Sequence, residues 1–518
     1  MGGWAAGRGI IYICVMKTKL LLAVCLLCYT ALFAQTPSFV TDSLDSYIQQ
    51  GMKDWQVPGL ALVIVKDGKV VTMKGYGVKD TATKQPVDEN TLFMIASNTK
   101  LFTATALAQL EYDKKLSLDD KIIHYYPDFQ LYVPTSTQLV SIRDMLSHRI
   151  GTKTFQGDFT FWNSLYTREE IMHKMRLLKP IHPFRQNFGY CNSCVMTAGQ
   201  IIPKVTGKEW ATYVEDSLLS PLQMNHTYTS ILRVPADVKL AQPYTTSFSG
   251  VLHTVPLDQW DNLGPAAALI SNVSDLSHWL ICQLDSGRYD GRTVVPFAAM
   301  QRTRDINTIL SSRKRGEAPT LNGYALGLES YDYAGREVYW HTGGAGGMVS
   351  VVCFIPEERL GMAILTNNDN QDFFVLLRSQ IIDAYLGLPY HNYSEEGFRS
   401  FSKAMADTLK MIDAWKERVK GDNPSLPLSS YAGHYTNPLY GSLDIRQKGK
   451  GLALTFNGHA HLTAQLDYMD NGEWFLQYDN ILYGIYSTKF KIAGGKVVSL
   501  ETKQSDFVEY DPYTFTKD

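Results

Sequence analysis

The order of segments along this chain predicts an α+β fold, one antiparallel sheet packed with helices, followed by a small all-β module. Three observations carry that expectation. Apolar runs of strand character lie near the start and return after residue 338. A largely helical stretch separates them. From Tyr431 onward the pattern changes to short alternating strands broken by Gly-Lys-Gly, Asn-Gly and Gly-Gly turns, which suits a small β-barrel or half-barrel.

Taken in order, an amphipathic helix is expected over about residues 36–53, then strands at 59–66 and 69–75. The helical middle runs from Ser97 to about Asp285, with long loops around 151–161 and 248–263. Strands are expected again at 338–341, 349–355 and 361–366, and a helix at 372–385 closes the domain. A helix near 395–419 and a linker at 421–427 lead into the β module. The division is therefore 1–34 extension and leader, 35–392 main domain, 393–427 helix and linker, 428–518 β module.

Composition narrows the function classes. The chain has 518 residues, 45% of them apolar, enough for a substantial core. Its net charge is −2 and no basic stripe is present, so nothing points to nucleic acid. Lys17-Thr18-Lys19, an apolar run over 20–34 and then Gln35 read as a secretory signal peptide, which implies a periplasmic or secreted protein. The run is shorter than the ~20 residues of a membrane span, so no stable insertion is expected once the leader is removed. Four cysteines lie beyond it, Cys191, Cys194, Cys282 and Cys353, which is no disulfide framework in so long a chain. Cys191 and Cys194 read as small apolar residues at a helix start, because no second Cys-x-x-Cys completes a zinc site. His459-Ala460-His461 alternates as metal ligands on a strand do, but no third histidine lies nearby, and no metal or cofactor is expected.

The chemistry is carried by three short motifs in order: Ser97-Asn98-Thr99-Lys100, Tyr190-Cys191-Asn192 and His341-Thr342-Gly343. A serine is a weak nucleophile until a neighbouring base takes its proton, and residues three apart on a helix share a face. Ser97 and Lys100 thus bring a hydroxyl and an amine together, near the first turn of a buried helix over 101–110. Free N–H groups there favour developing negative charge. Read singly these motifs are weak. Ser-x-x-Lys also occurs at Ser311 and Ser400, and Tyr-x-Asn at Tyr390, Tyr435 and Tyr478. Alone, Ser97 reads as a helix cap, Tyr190 as a core tyrosine, and His341 and His148 as structural histidines. The order of the set is what points to acyl transfer.

The flanks of these motifs resemble the serine β-lactamase and penicillin-binding protein superfamily, in its class C-like branch. The resemblance rests on Trp55-Gln56-Val57-Pro58-Gly59, Ile142-Arg143-Asp144-Met145-Leu146-Ser147-His148, Phe188-Gly189-Tyr190-Cys191-Asn192, Asn272-Val273-Ser274-Asp275-Leu276, Tyr324-Ala325-Leu326-Gly327 and His341-Thr342-Gly343-Gly344. Pro221-Leu222-Gln223-Met224 resembles a Pro-Leu-Gly-Met turn with Gln223 in place of glycine. The C-terminal strands resemble the lipocalin-like module common in this branch. The resemblance implies that Ser97 is acylated, that Lys100 or Tyr190 is the base, and that Asn192 holds Lys100 and a substrate carbonyl. It also implies an oxyanion site at the backbone N–H groups of Ser97 and Gly344, with Gly343 allowing close approach. Penicillin-directed members usually carry lysine where His341 stands. A histidine there would be mostly neutral at pH 7 and gain charge below about pH 6.5, weakening the anchor for a substrate carboxylate.

The expected function is an exported serine hydrolase that cleaves an ester or amide of a small molecule or peptide, of esterase or D-aminoacyl peptidase type. The alternatives are a true β-lactamase or cell-wall D,D-carboxypeptidase, and a sensor that is acylated without turnover.

Overall fold

The computed structural model describes residues 36–518 apart from Lys239, Gly316 and Glu317; the expected leader at 1–34 lies outside the described residues. A short π-helical turn, Phe39–Ser43, leads into helix α1, Leu44–Asp54, and strands β1, Gly59–Lys66, and β2, Lys69–Gly77, follow. The helical middle includes α2, Thr99–Tyr112, α3, Asn192–Gly199, and α4, Val273–Leu284. Six strands come next: β3, Thr308–Arg315, β4, Ala318–Tyr324, β5, Glu329–Tyr333, β6, Arg336–Ala345, β7, Met348–Ile355, and β8, Leu360–Thr366. Helices α5, Phe373–Tyr385, and α6, Tyr393–Glu417, close this part.

The eight strands form one antiparallel sheet in the order β2-β1-β8-β7-β6-β5-β4-β3. Its central strands β1, β7 and β8 are mostly apolar and buried at nearly every position, because both faces are covered. Leu60, Leu62 and Ile64 of β1 join a core with Phe373, Leu377 and Ile381 of α5. Ala61, Val63 and Val65 face the other way, into the larger core with Phe102 of α2 and Trp279 and Leu280 of α4. Side chains alternate across a strand, so a run without polar residues is what a sheet between two helical layers requires. This is the expected α+β arrangement. It is extended by three strands, β3 to β5, that the sequence reading left unassigned.

The C-terminal part is a closed barrel, which settles the choice between barrel and half-barrel. Its eight strands are β9, Gly433–Asn437, β10, Gly441–Lys448, β11, Gly451–Phe456, β12, Thr463–Tyr468, β13, Glu473–Tyr478, β14, Ile485–Ala493, β15, Lys496–Thr502, and β16, Tyr513–Lys517. Inward positions are filled by large side chains, among them Tyr435, Leu454, Phe456, Leu476, Tyr478 and Phe515. His459 sits in the turn between β11 and β12, not on a strand; its Nε2 donates to the carbonyl of Phe159 at 2.7 Å.

The barrel packs directly on the main domain. Phe159 stacks on His459 at 4.3 Å and on Tyr513 at 5.4 Å. Helix α6 spans both parts: Phe401 packs on Trp55, and Ile412 is buried with Met469, Phe475 and Ile485 of the barrel. Among the described residues no helix is long and apolar enough to cross a membrane.

Candidate active site

Ser97 lies in a single 3₁₀ turn, Ala96–Asn98, that feeds directly into α2. Lys100 is one turn along and fully buried. Its ammonium has three acceptors: Ser97 Oγ at 2.9 Å, Asn192 Oδ1 at 2.7 Å and the Ala266 carbonyl at 2.9 Å. Burial depresses its pKa to about 7, against the opposing pull of Asp158 and Cys191. A lysine in that state is half deprotonated near neutrality, and the lone pair it gains faces the Ser97 hydroxyl.

Tyr190 and Asn192 bracket the start of α3. Asn192 Nδ2 donates to Asp158 Oδ2 at 2.6 Å, so one of its two amide hydrogens is committed away from the cleft. Tyr190 is only part-buried as a residue, but its ring is tightly flanked. Lys100 Nζ lies 4.7 Å from the ring centre, and the rings of His148 and His341 lie 4.4 and 6.1 Å away. Burial pushes its phenol far above the usual tyrosine range, with the Ser97 hydroxyl opposing.

His341, Gly343 and Gly344 come from β6. A Cβ on Gly343 would lie 1.9 Å from the Ile95 carbonyl, so only glycine lets the strand approach the serine turn. Ser350 of β7 secures the same junction: its hydroxyl donates to the Ile95 carbonyl at 3.1 Å and accepts from Asn98 Nδ2 at 2.9 Å. Ala345 pairs with Met348 around the two-residue turn Gly346-Gly347. Gly344 is then a non-hydrogen-bonded position of that ladder, and its N–H points away from β7. On that side the pairing with β5 stops at Trp340, which leaves the N–H open toward the serine turn.

His341 is 4% exposed and both ring nitrogens are engaged. The Cys191 N–H donates to His148 Nδ1 at 3.1 Å, which leaves the His148 proton on Nε2, facing Tyr324 Oη at 3.2 Å. Tyr324 in turn donates to His341 Nε2 at 3.0 Å, and His341 Nδ1–H faces the Thr342 carbonyl at 2.5 Å. This chain is satisfied only with both histidines neutral. Burial and the nearby Lys100 push the His341 pKa to about 3. The expectation that it gains charge below pH 6.5 is therefore corrected.

Ser97, Tyr190, Asn192, His341, Gly343 and Gly344 line one cleft of about 1000 Å³. Its walls include Phe401 and Met405 of α6 and, from the barrel, Leu482, Lys503 and Phe507. Phe507 comes within 3.0 Å of where a Cβ on Gly344 would sit. Sequence reasoning missed the barrel's share, and missed Asp158, which lies in a stretch that reads only as a long loop. It had marked Tyr324 and His148 in motifs without seeing that they join. Cys191 and Cys194 are buried free thiols at the α3 start, and among the described residues no cluster of three or more His, Cys, Asp or Glu could hold a metal ion.

Comparisons with known proteins give the family and the fold. The beta-lactamase family profile matches residues 44–386, and a domain of unknown function (DUF3471) matches 417–517. The chain is 26% identical over 436 residues to the unguisins hydrolase ungD of Aspergillus violaceofuscus, covering 77% of this chain and 75% of that protein. It is 25% identical over 333 residues to protein flp of Staphylococcus aureus, covering 63% of each. The octameric penicillin-binding protein homologue from Pyrococcus abyssi superposes with a TM-score of 0.61 at 22% identity, over 92% of this chain and all of that one, which speaks for the fold. With an ordered serine–lysine–tyrosine constellation beside this sheet and a family match over most of the chain, the protein belongs to the beta-lactamase family, within the serine β-lactamase and penicillin-binding protein superfamily.

Proposed function

We propose that the protein is an exported serine hydrolase that cleaves an ester or amide through an acyl-Ser97 intermediate. The observation that carries the reading is the 2.9 Å contact between Ser97 Oγ and a buried lysine whose pKa is lowered to about 7. Neutral Lys100 takes the Ser97 proton as Oγ attacks the substrate carbonyl carbon. The oxyanion is held by the N–H groups of Ser97 and Gly344. As the intermediate collapses, the leaving group departs with a proton passed from Lys100 through Tyr190, whose raised pKa suits a donor and relay better than a base. Water then repeats the sequence on the acyl-enzyme and frees Ser97.

In this reading residues 35–392 are the hydrolase domain, 393–427 a connecting helix and linker, and 428–518 the barrel domain. Export rests on the leader-like run at 20–34 and would give a mature chain starting near Gln35, which N-terminal sequencing checks. The neutral, fully engaged His341 supplies no cation for a substrate carboxylate. That favours a neutral ester or D-aminoacyl amide over a carboxylate-bearing β-lactam. Assays of purified protein against short p-nitrophenyl esters, D-alanyl amides and nitrocefin test the ranking. Ester or D-alanyl amide turnover exceeding nitrocefin turnover supports it; the reverse order supports a true β-lactamase.

A further inference from the structure

We propose that Glu509, a barrel residue, is a positioning residue for Lys100, acting through Asp158 and Asn192; this rests on the acyl-Ser97 reading. Glu509 lies in the connection between β15 and β16 and is 1% exposed. Its two oxygens accept from the backbone N–H groups of Gly157, at 2.8 Å, and Phe159, at 3.2 Å. The Tyr440 hydroxyl donates to the same carboxylate at 2.6 Å. One side chain thereby clamps the backbone on both sides of residue 158.

Asp158 is the residue between those two N–H groups, and its side chain points to the active site. Its Oδ2 takes the Asn192 amide at 2.6 Å, Asn192 Oδ1 takes Lys100 Nζ at 2.7 Å, and Lys100 reaches Ser97 at 2.9 Å. The path from barrel to nucleophile is thus an unbroken series of short contacts through buried groups. The barrel grips the same turn by two further contacts, from His459 Nε2 to the Phe159 carbonyl and from Thr160 Oγ1 to the Leu439 carbonyl at 3.2 Å. Those hold only the C-terminal side of residue 158, whereas the Glu509 clamp holds both sides.

The charges along the path are coupled. Asp158 faces Cys191, Asn192, Lys100 and Glu509, and burial pushes its carboxyl well above the usual range. Lys100 faces Asp158 and Cys191, with His148 and His341 close by. Glu509 faces Tyr440 and Asp511, and burial raises it to about 7. A change at Glu509 therefore bears on the charge of Asp158, which faces Lys100, as well as on the position of that lysine.

The test uses full-length protein and a small neutral ester, which has no need to touch Glu509. Glu509→Gln turns one acceptor into a donor facing a backbone N–H. It is expected to lower kcat by roughly ten- to a hundredfold with KM unchanged, as misplacement remote from the chemistry does. It should also displace the acid limb of the pH–rate profile. Tyr440→Phe keeps the ring that stacks on Tyr513 at 3.8 Å and should act in the same sense more weakly, so it carries the test where Glu509→Gln fails to fold. In an Asp158→Ala background, where Asn192 Nδ2 has lost its acceptor, neither change should have a further effect, because the path is already cut. The proposal is overturned when the variants lower Tm alone while kcat and the acid limb match the parent, or when their effects multiply with that of Asp158→Ala. Persistence of turnover in Ser97→Ala protein would instead overturn the acyl-serine reading, so the two failures are distinct.

Discussion

At the scale of single residues, environment turns ordinary side chains into a reactive set. Lys100 has its pKa lowered from 10.5 to about 7 because it is buried, so it is protonated and inert below that pH and neutral above it. For a neutral ester, kcat/KM should rise with pH through about 7 and then level off, since this profile reports the base in the free enzyme. A profile flat from about pH 5.5 to about pH 8, the range in which such a base titrates, would exclude Lys100 as the proton acceptor. His341 behaves oppositely to a lysine at its position. It stays neutral across that window, so the ratio of kcat/KM for a carboxylate-bearing and a neutral substrate should not vary with pH through any change at His341. His341→Lys removes the only acceptor of the Tyr324 hydroxyl in the chain described above. It is expected to destabilise the protein by about 1–3 kcal/mol, measured as a lower midpoint in urea. An unchanged midpoint with improved hydrolysis of charged β-lactams would show that the new ammonium reaches the cleft.

At the scale of elements, the junction of β6 with the serine turn does most to place the chemistry. Gly343→Ala puts a methyl 1.9 Å from the Ile95 carbonyl, so strand and turn must separate. The expected cost is at or above the upper end of the ~1–3 kcal/mol typical of overpacking, with turnover lost even in the folded fraction. Near-parental activity in Gly343→Ala protein would show that the close approach is dispensable. The same elements show what the sequence could reveal. β1, β7 and β8 were legible because burial on both faces forces continuous apolar runs, and α2 because it is buried throughout. Strands β3 to β5 were not, since Arg313, Lys314, Asn322, Glu329 and Asp332 interrupt any simple alternation. Gln223, standing where the resembling turn has glycine, adopts φ 57, so the backbone there keeps the left-handed shape without the residue that favours it. Ser97, Lys100, Tyr190 and Asn192 were legible as motifs. Asp158, Phe507 and Glu509 were not, because their roles come from contacts across long stretches of chain that leave no local pattern.

At the scale of the whole molecule, the barrel is part of the cleft rather than an appendage. Leu482 and Phe507 form part of its wall, and Phe159, Trp162 and Ala96 of the serine turn lie within one continuous packed region with barrel aromatics. A chain truncated after Lys420 would expose Phe159 and Trp162 and lose the wall above Gly344. Its activity on small esters should fall by at least tenfold even where circular dichroism shows a folded main domain, a loss equivalent to about 1.4 kcal/mol of transition-state stabilisation. Undiminished turnover by the truncated protein would show the barrel to be catalytically separable. The activity outcomes presuppose a covalent intermediate on one serine. The most direct measurement is intact mass and peptide mapping after reaction with a fluorophosphonate probe. A single adduct on Ser97, absent from Ser97→Ala protein and slowed at pH values below that of the Lys100 transition, is the predicted result. An adduct on Ser311 or Ser400, or labelling that survives Ser97→Ala, would contradict it.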